Sequence, residues 1–120
     1  MKIMSAVVAV SSLAAVLAAS NASAAGSDPE HGKTVFARCA ACHDLNTGAN
    51  RLGPSLKGIV GRKSGSIANF AYSPALKASN KVWNAATLDG FLTSPIKYIP
   101  GTRMPFAGIP NAQDRADLIA

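Results

Sequence analysis

Cys39-Ala40-Ala41-Cys42-His43 dictates more about how this chain can fold than any other stretch of it. Two thiols one helical turn apart can add to the vinyl groups on neighbouring edges of a porphyrin. The residue that follows them then lies under the ring with its imidazole aimed at iron. C-x-x-C-H at this spacing is the attachment site of a c-type haem, and an axial His is a standard haem ligand. Two other uses of paired Cys lack what they need. A thioredoxin-like redox pair expects a strand and helix setting, and no alternating strand pattern stands out here. A zinc site needs further Cys or His ligands, and outside the motif only His31 is left.

With 120 residues, the chain is a single small domain at most. Its apolar residues are unevenly placed. Residues 1–25 carry one charge, Lys2, and neither Gly nor Pro; all ten Gly and all seven Pro follow. Lys2, an apolar run from Ile3 to Ala19, and the small residues Asn21-Ala22-Ser23-Ala24-Ala25 read as a signal peptide. Cleavage is expected after Ala24 or Ala25, leaving a domain over 26–120 outside the cytoplasmic membrane, in a periplasm. The alternative is a retained anchor, but a run of about 17 residues is at the short limit for a span. A domain of about 95 residues is marginal on its own core, and small exported domains add disulfides, a metal or a cofactor. Cys39 and Cys42 are too close to staple distant parts, so a cofactor is expected to supply the missing core.

The remaining pattern predicts a small all-α fold with three to five short helices and long loops. Asp28 caps a first helix, with Pro29 at its first position and Glu30 in its first turn; it runs through Gly32, Val35 and Phe36 to about Ala40. Five Gly and Pro54 mark residues 44–70 as loop. Ser73-Pro74 opens a second helix ending near Ser79. Thr87 starts a third over Leu88 to Thr93, stopped by Pro95. Pro95, Pro100, Gly101, Pro105, Gly108 and Pro110 predict an extended, irregular segment. Asn111 or Gln113 opens a last helix through Leu118 and Ile119. Loops this long in a small domain imply that something fills the space they wrap.

A second axial ligand follows by elimination. Met1 and Met4 belong to the leader, so Met104, in Thr102-Arg103-Met104-Pro105-Phe106, is the only methionine of the domain. A thioether is a soft donor that raises the reduction potential when paired with His on haem. Its competitors are His31, which lies on the first helix and is expected to cap it or face solvent, and the lysines.

These motifs together resemble a class I c-type cytochrome, of the mitochondrial cytochrome c and bacterial cytochrome c2 type, over residues 28–120. The motifs that carry the resemblance are Cys39-x-x-Cys42-His43, Gly53-Pro54-Ser55-Leu56-x-Gly58-Ile59-x-Gly61-Arg62-Lys63, Tyr72, Trp83, and Lys97-Tyr98-Ile99-Pro100-Gly101-Thr102-Arg103-Met104-x-Phe106-Ala107-Gly108-Ile109. The resemblance implies the cytochrome c fold around one haem c attached through Cys39 and Cys42, with His43 and Met104 on the iron. It implies that the Pro54 carbonyl accepts a hydrogen bond from His43. It further implies that Arg62, Tyr72 and Trp83 serve the haem propionates, and that Thr102 lies beside the Met ligand. A buried propionate needs donors or a positive charge, which these residues offer.

The chain departs from the family pattern at three places. Phe91 stands where the family often has a Tyr that hydrogen-bonds the Met sulfur. Leu76 stands where it has an Asn in an interior water network. The family's last helix continues beyond a segment like Asp114 to Ala120, usually with an aromatic that packs where Gly32 and Phe36 lie, so a truncated C-terminal helix is expected here.

The formal charge of +6 is modest, and no basic-aromatic motif accompanies it, so no nucleic-acid partner is expected. Arg38, Lys97 and Arg103 flank the haem ligands in sequence, and Ile96 occupies one familiar lysine position of the family. Such residues ring the exposed haem edge in the family, where they steer encounters with acidic docking faces. The expectation is therefore a periplasmic one-electron carrier and not an enzyme, monomeric, with transient contact to a membrane surface allowed. A bc1-type complex or a dehydrogenase would donate; a terminal cytochrome oxidase or photosynthetic reaction centre would accept. The alternative is a haem peroxidase or ligand-binding sensor, which requires that Met104 not be a stable ligand.

Overall fold

A computed structural model describes residues 26–120; the leader, with its two expected cleavage points, lies outside the described residues. The fold is all-α. Five helices, α1 (Pro29–Val35), α2 (Pro74–Ala78), α3 (Ala85–Thr93), α4 (Pro95–Tyr98) and α5 (Ala112–Ile119), are joined by long loops, and a 3-10 turn (Phe36–Arg38) extends α1. No named strand occurs among the described residues; an isolated antiparallel bridge pairs Lys63 with Val82.

Local chemistry sets most helix starts. Asp28 accepts from the backbone N–H of Glu30 and His31 at 3.0 and 3.3 Å, with Pro29 at the first position. Ser73 caps α2 by accepting from Leu76 N–H at 3.1 Å. Three expectations need correction. The first helix tightens to 3-10 geometry at Phe36 instead of continuing to Ala40, as last turns often do. The third helix begins at Ala85, because Asn84 and Thr87 form a reciprocal capping box. The segment from Pro95 is not extended: Pro95 opens α4 as Pro29 and Pro74 open theirs.

The N- and C-terminal helices pack together. Gly32 lies so close to the Asp117 carbonyl that a β-carbon there would overlap it. The side of α5 facing α1 carries Asp117, only 3% exposed. It accepts from Asp28 N–H at 2.8 Å, His31 Nδ1–H at 2.8 Å and Gln113 Nε2–H at 2.9 Å. His31 thus neither caps α1 nor simply faces solvent; its Nδ1 is committed to α5. The Gln113 side-chain hydrogen bond, then the Asp28 N–H, hold the Asp117 carboxyl below the usual carboxylate range; desolvation opposes them and His31 adds to the lowering.

The apolar core is thin. Among the described residues, Val35, Tyr72, Trp83, Pro95, Ile99 and Ile109 are the buried apolar side chains. Phe36, Leu56, Leu88, Phe91, Leu92 and Phe106 are only half-buried. For a domain of this length, so few buried apolar groups fall short of a self-sufficient core.

Candidate functional site

The site is built on the turn that follows the 3-10 segment. Cys39 N–H donates to Phe36 O at 2.8 Å, Cys42 N–H to Cys39 O at 3.0 Å, and His43 N–H to Cys39 O at 2.9 Å. One helix-like turn therefore gathers both thiols and the imidazole on one short stretch. Neither Cys is bonded to another Cys, and both are half-buried. Burial pushes the Cys39 thiol up; the Arg38 charge opposes this and Cys42 reinforces it.

The loop after His43 folds back under it. Gly53 N–H donates to Cys42 O at 2.9 Å, and Leu56 N–H to Asp44 O at 2.8 Å. Asp44 turns the chain by accepting from the N–H groups of Asn46 and Thr47 at 2.9 and 2.6 Å. Those bonds, with Thr47 the stronger influence, keep its carboxyl below the ordinary range. Arg51 ties the loop to the motif by donating to Ala40 O at 2.8 Å. Asn50 accepts from Ser55 N–H at 3.0 Å and fixes the turn at Pro54.

This closure brings His43 Nδ1 to 2.8 Å from the Pro54 carbonyl. A carbonyl only accepts, so Nδ1 carries the proton and Nε2 keeps its lone pair free for a metal. Gly53 makes the approach possible: a β-carbon there would lie 2.7 Å from Nδ1 and 2.9 Å from Nε2. The sequence displays Gly53 next to Pro54, but nothing local in it says that an imidazole lies against that glycine.

The Arg62 guanidinium reaches the same loop, donating to Ser55 O at 2.6 Å and to Lys57 O. Its backbone pairs with that of Trp83, whose N–H donates to Arg62 O at 2.9 Å, while Gly61 N–H donates to Trp83 O at 2.7 Å. Tyr72 is buried, and its hydroxyl oxygen accepts from Ile67 N–H at 3.2 Å. Its own O–H remains a donor for another acceptor. Arg62 and Trp83 are thus brought together, and Arg62 joins them to the His43 loop.

Thr102 and Met104 are half-buried in the segment between α4 and α5. Their backbone bonds are local: Thr102 N–H to Ile99 O at 3.1 Å and Phe106 N–H to Met104 O at 2.9 Å. Among the described residues no hydrogen bond joins them to the His43 loop. Phe91 packs against Trp83 and Tyr98 with ring centroids 5.1 and 6.4 Å apart. Arg38, Ile96, Lys97 and Arg103 are exposed.

The donor set suits a covalently held haem. It offers two unpaired thiols at the right spacing and an imidazole with its second nitrogen free. The shell of half-buried apolar side chains completes a core only with an apolar group against it. No cluster of three or more His, Cys, Asp or Glu among the described residues is arranged to hold a bare metal ion.

Comparison with known proteins agrees. The family model described as cytochrome c matches residues 29–120. The chain is 48% identical over 94 residues to cytochrome c2 of Rhodoblastus acidophilus, covering 78% of this chain and 88% of that protein. It is 52% identical over 93 residues to cytochrome c type-1 of Ascaris suum, covering 77% and 83% respectively. The solved structure of cytochrome cH from Methylobacterium extorquens superposes with a TM-score of 0.72 at 42% identity, covering 77% of this chain and 93% of that one.

Proposed function

Because this chain belongs to the cytochrome c family, an electron-transfer family and not an enzyme family, we propose that it is a soluble periplasmic carrier. Its single c-type haem would be held covalently through Cys39 and Cys42, with His43 and Met104 as the residues that would ligate its iron. The observation that carries this reading is the His43 to Pro54 hydrogen bond of 2.8 Å, one residue after Cys42.

The group supplies one-electron exchange at iron between the ferrous and ferric states. The chain's own residues define how that exchange is used. Pro54 sets the His43 tautomer and ring angle and raises its basicity as a ligand. The strap carrying Met104 supplies a thioether, which as a ligand would favour the reduced state and would close the iron to substrate. Arg62, Tyr72 and Trp83 offer the donors that buried carboxylates require. Thr102 lies two residues before Met104 and orders that strap through its backbone bond to Ile99.

Exposed Arg38, Lys97 and Arg103 make a basic approach for acidic docking faces, and a bc1-type complex or dehydrogenase fits as donor. A terminal oxidase or photosynthetic reaction centre fits as acceptor. The names of the bacterial relatives and the character of residues 1–25 support the periplasmic reading. Among the described residues no helix is long and apolar enough to cross a membrane.

Visible spectra of the exported holoprotein test the reading. It expects low-spin spectra in both oxidation states and a weak near-infrared sulfur-to-iron band when oxidised. A high-spin spectrum with rapid carbon monoxide binding to the reduced protein would favour peroxidase or ligand-binding chemistry instead.

A further inference from the structure

We propose that Arg115 is a positioning residue for Met104, acting through the far end of the Met104 strap; this rests on the reading of Met104 as a ligand. The strap runs from Ile99 to Ile109 without a regular element. Both ends are buried: Ile99 is 4% exposed and Ile109 is fully enclosed. Between them, the backbone bonds of Thr102 and Phe106 are local, so Met104 is held largely by where the ends are fixed.

Arg115 fixes the later end from three sides. Its side chain is 11% exposed. Nε donates to Asp89 Oδ1 at 2.7 Å, and Nη1 donates to Ile109 O at 2.8 Å and to Pro110 O at 3.1 Å. Ile109 N–H in turn donates to Leu92 O at 2.8 Å. Asp89 and Leu92 are three residues apart, on one face of α3. The contacts therefore close a ring: Asp89, Arg115, Ile109, Leu92 and back to Asp89 along the helix.

A second observation points the same way. Gly108 has φ +111°, and a β-carbon there would lie 2.9 Å from the Thr93 carbonyl carbon and 3.1 Å from Leu92 O. The strap therefore meets the end of α3 backbone to backbone. Only a planar fork of donors spans a carboxylate and two successive carbonyls at once, which is why a lysine does not replace this arginine. With Ile109 held on both its N–H and its C=O, the five residues back to Met104 form a short tether of fixed origin.

Imidazole is the probe, since it takes the sixth position only when Met104 leaves it. Oxidised holoprotein is titrated with imidazole while the near-infrared sulfur-to-iron band and the far-ultraviolet helix signal are followed. R115M is expected to bind imidazole more tightly by about tenfold or more, the consequence of losing the charge-assisted hydrogen bonds to Ile109 O and Pro110 O that hold the strap closed. Its helix signal should be unchanged. D89N, which removes the ion pair but leaves both carbonyl contacts, should stay near the wild type.

Equal imidazole affinity in R115M and wild type overturns the proposal. So does an equal increase in R115M and D89N, which would assign the effect to the contact between α3 and α5. If R115M does not yield holoprotein, R115K carries the test, because it keeps a charge for Asp89 but cannot also reach both carbonyls. R115K should then bind imidazole more tightly than D89N, and the reverse order overturns the proposal. A wild-type protein without the near-infrared band removes the ligand reading itself, and the proposal with it.

Discussion

Gly53 and His43 are in such close register that the imidazole lies where a side chain at position 53 would begin, with Nδ1 2.7 Å from a β-carbon placed there. The same approach gives His43 its 2.8 Å hydrogen bond to Pro54 O. Gly53→Ala must therefore displace either the ring or the loop. Overpacking of this kind costs about 1–3 kcal/mol, which in a domain of this size lowers Tm by on the order of 10 °C. Thermal unfolding of the oxidised holoprotein checks it. A variant with unchanged Tm and unchanged reduction potential would show that the loop yields without strain.

Met104 is the only methionine of residues 26–120, so Met104→Ala leaves no thioether to replace it. The expected outcome is loss of the near-infrared band and rapid carbon monoxide binding by the reduced protein. The reduction potential should fall by about 0.1 V or more, within the ~0.8 V range that axial ligands set. Potentiometry with spectral detection measures both. If the band survives the substitution, it does not arise from Met104, and the reading of Met104 as sixth ligand fails.

The parts of the fold legible in the sequence are those fixed by neighbours along the chain. Asp28-Pro29 and Ser73-Pro74 announce helix starts because cap and proline act within one turn. Ser94-Pro95 carries the same pattern, but Pro95 also stops α3, and a residue with two roles is easily read for one. Cys39, Cys42 and His43 are legible because haem attachment needs them adjacent. The contacts that aim the site are different in kind. Gly53 against His43, Arg115 on Ile109, and Asp117 receiving His31 across a separation of 86 residues depend on how the chain returns on itself. No local spacing encodes such returns, and they reach the reader of a sequence only through family resemblance.

Asn84 shows how a missed local signal can be checked. Its side chain accepts from Thr87 N–H at 2.9 Å, while Thr87 Oγ1 donates to Val82 O at 2.7 Å and accepts from Asn84 N–H at 2.8 Å. This box starts α3 at Ala85, with its cap residue directly after Trp83. Asn84→Ala should cost about 0.5–2 kcal/mol, read as a lowered denaturation midpoint with an unchanged m-value. Thr87→Ala should cost a comparable amount, and the double variant less than the sum, because the two residues share one box. Additive losses would mean that they act separately.

Acid should loosen the contact between α1 and α5 through Asp117. Its carboxyl is held below the ordinary range, first by Gln113, then by the Asp28 N–H and, more weakly, by His31. In the unfolded chain it titrates at about 3.9. Between the lowered folded value and that unfolded value the unfolded state binds more protons, so stability there rises with pH. The contribution is complete above about pH 5 and is lost as pH falls through the folded value. Asp44, also lowered, adds a slope of the same sign at the other end of the site. Asp117→Asn should therefore lower Tm at neutral pH and lose that difference in acid, where wild-type Asp117 is itself uncharged, leaving the Asp44 slope in place. Parallel Tm profiles for wild type and variant, offset by the same amount from neutral pH down through strong acid, would assign the role of Asp117 to shape and not to charge.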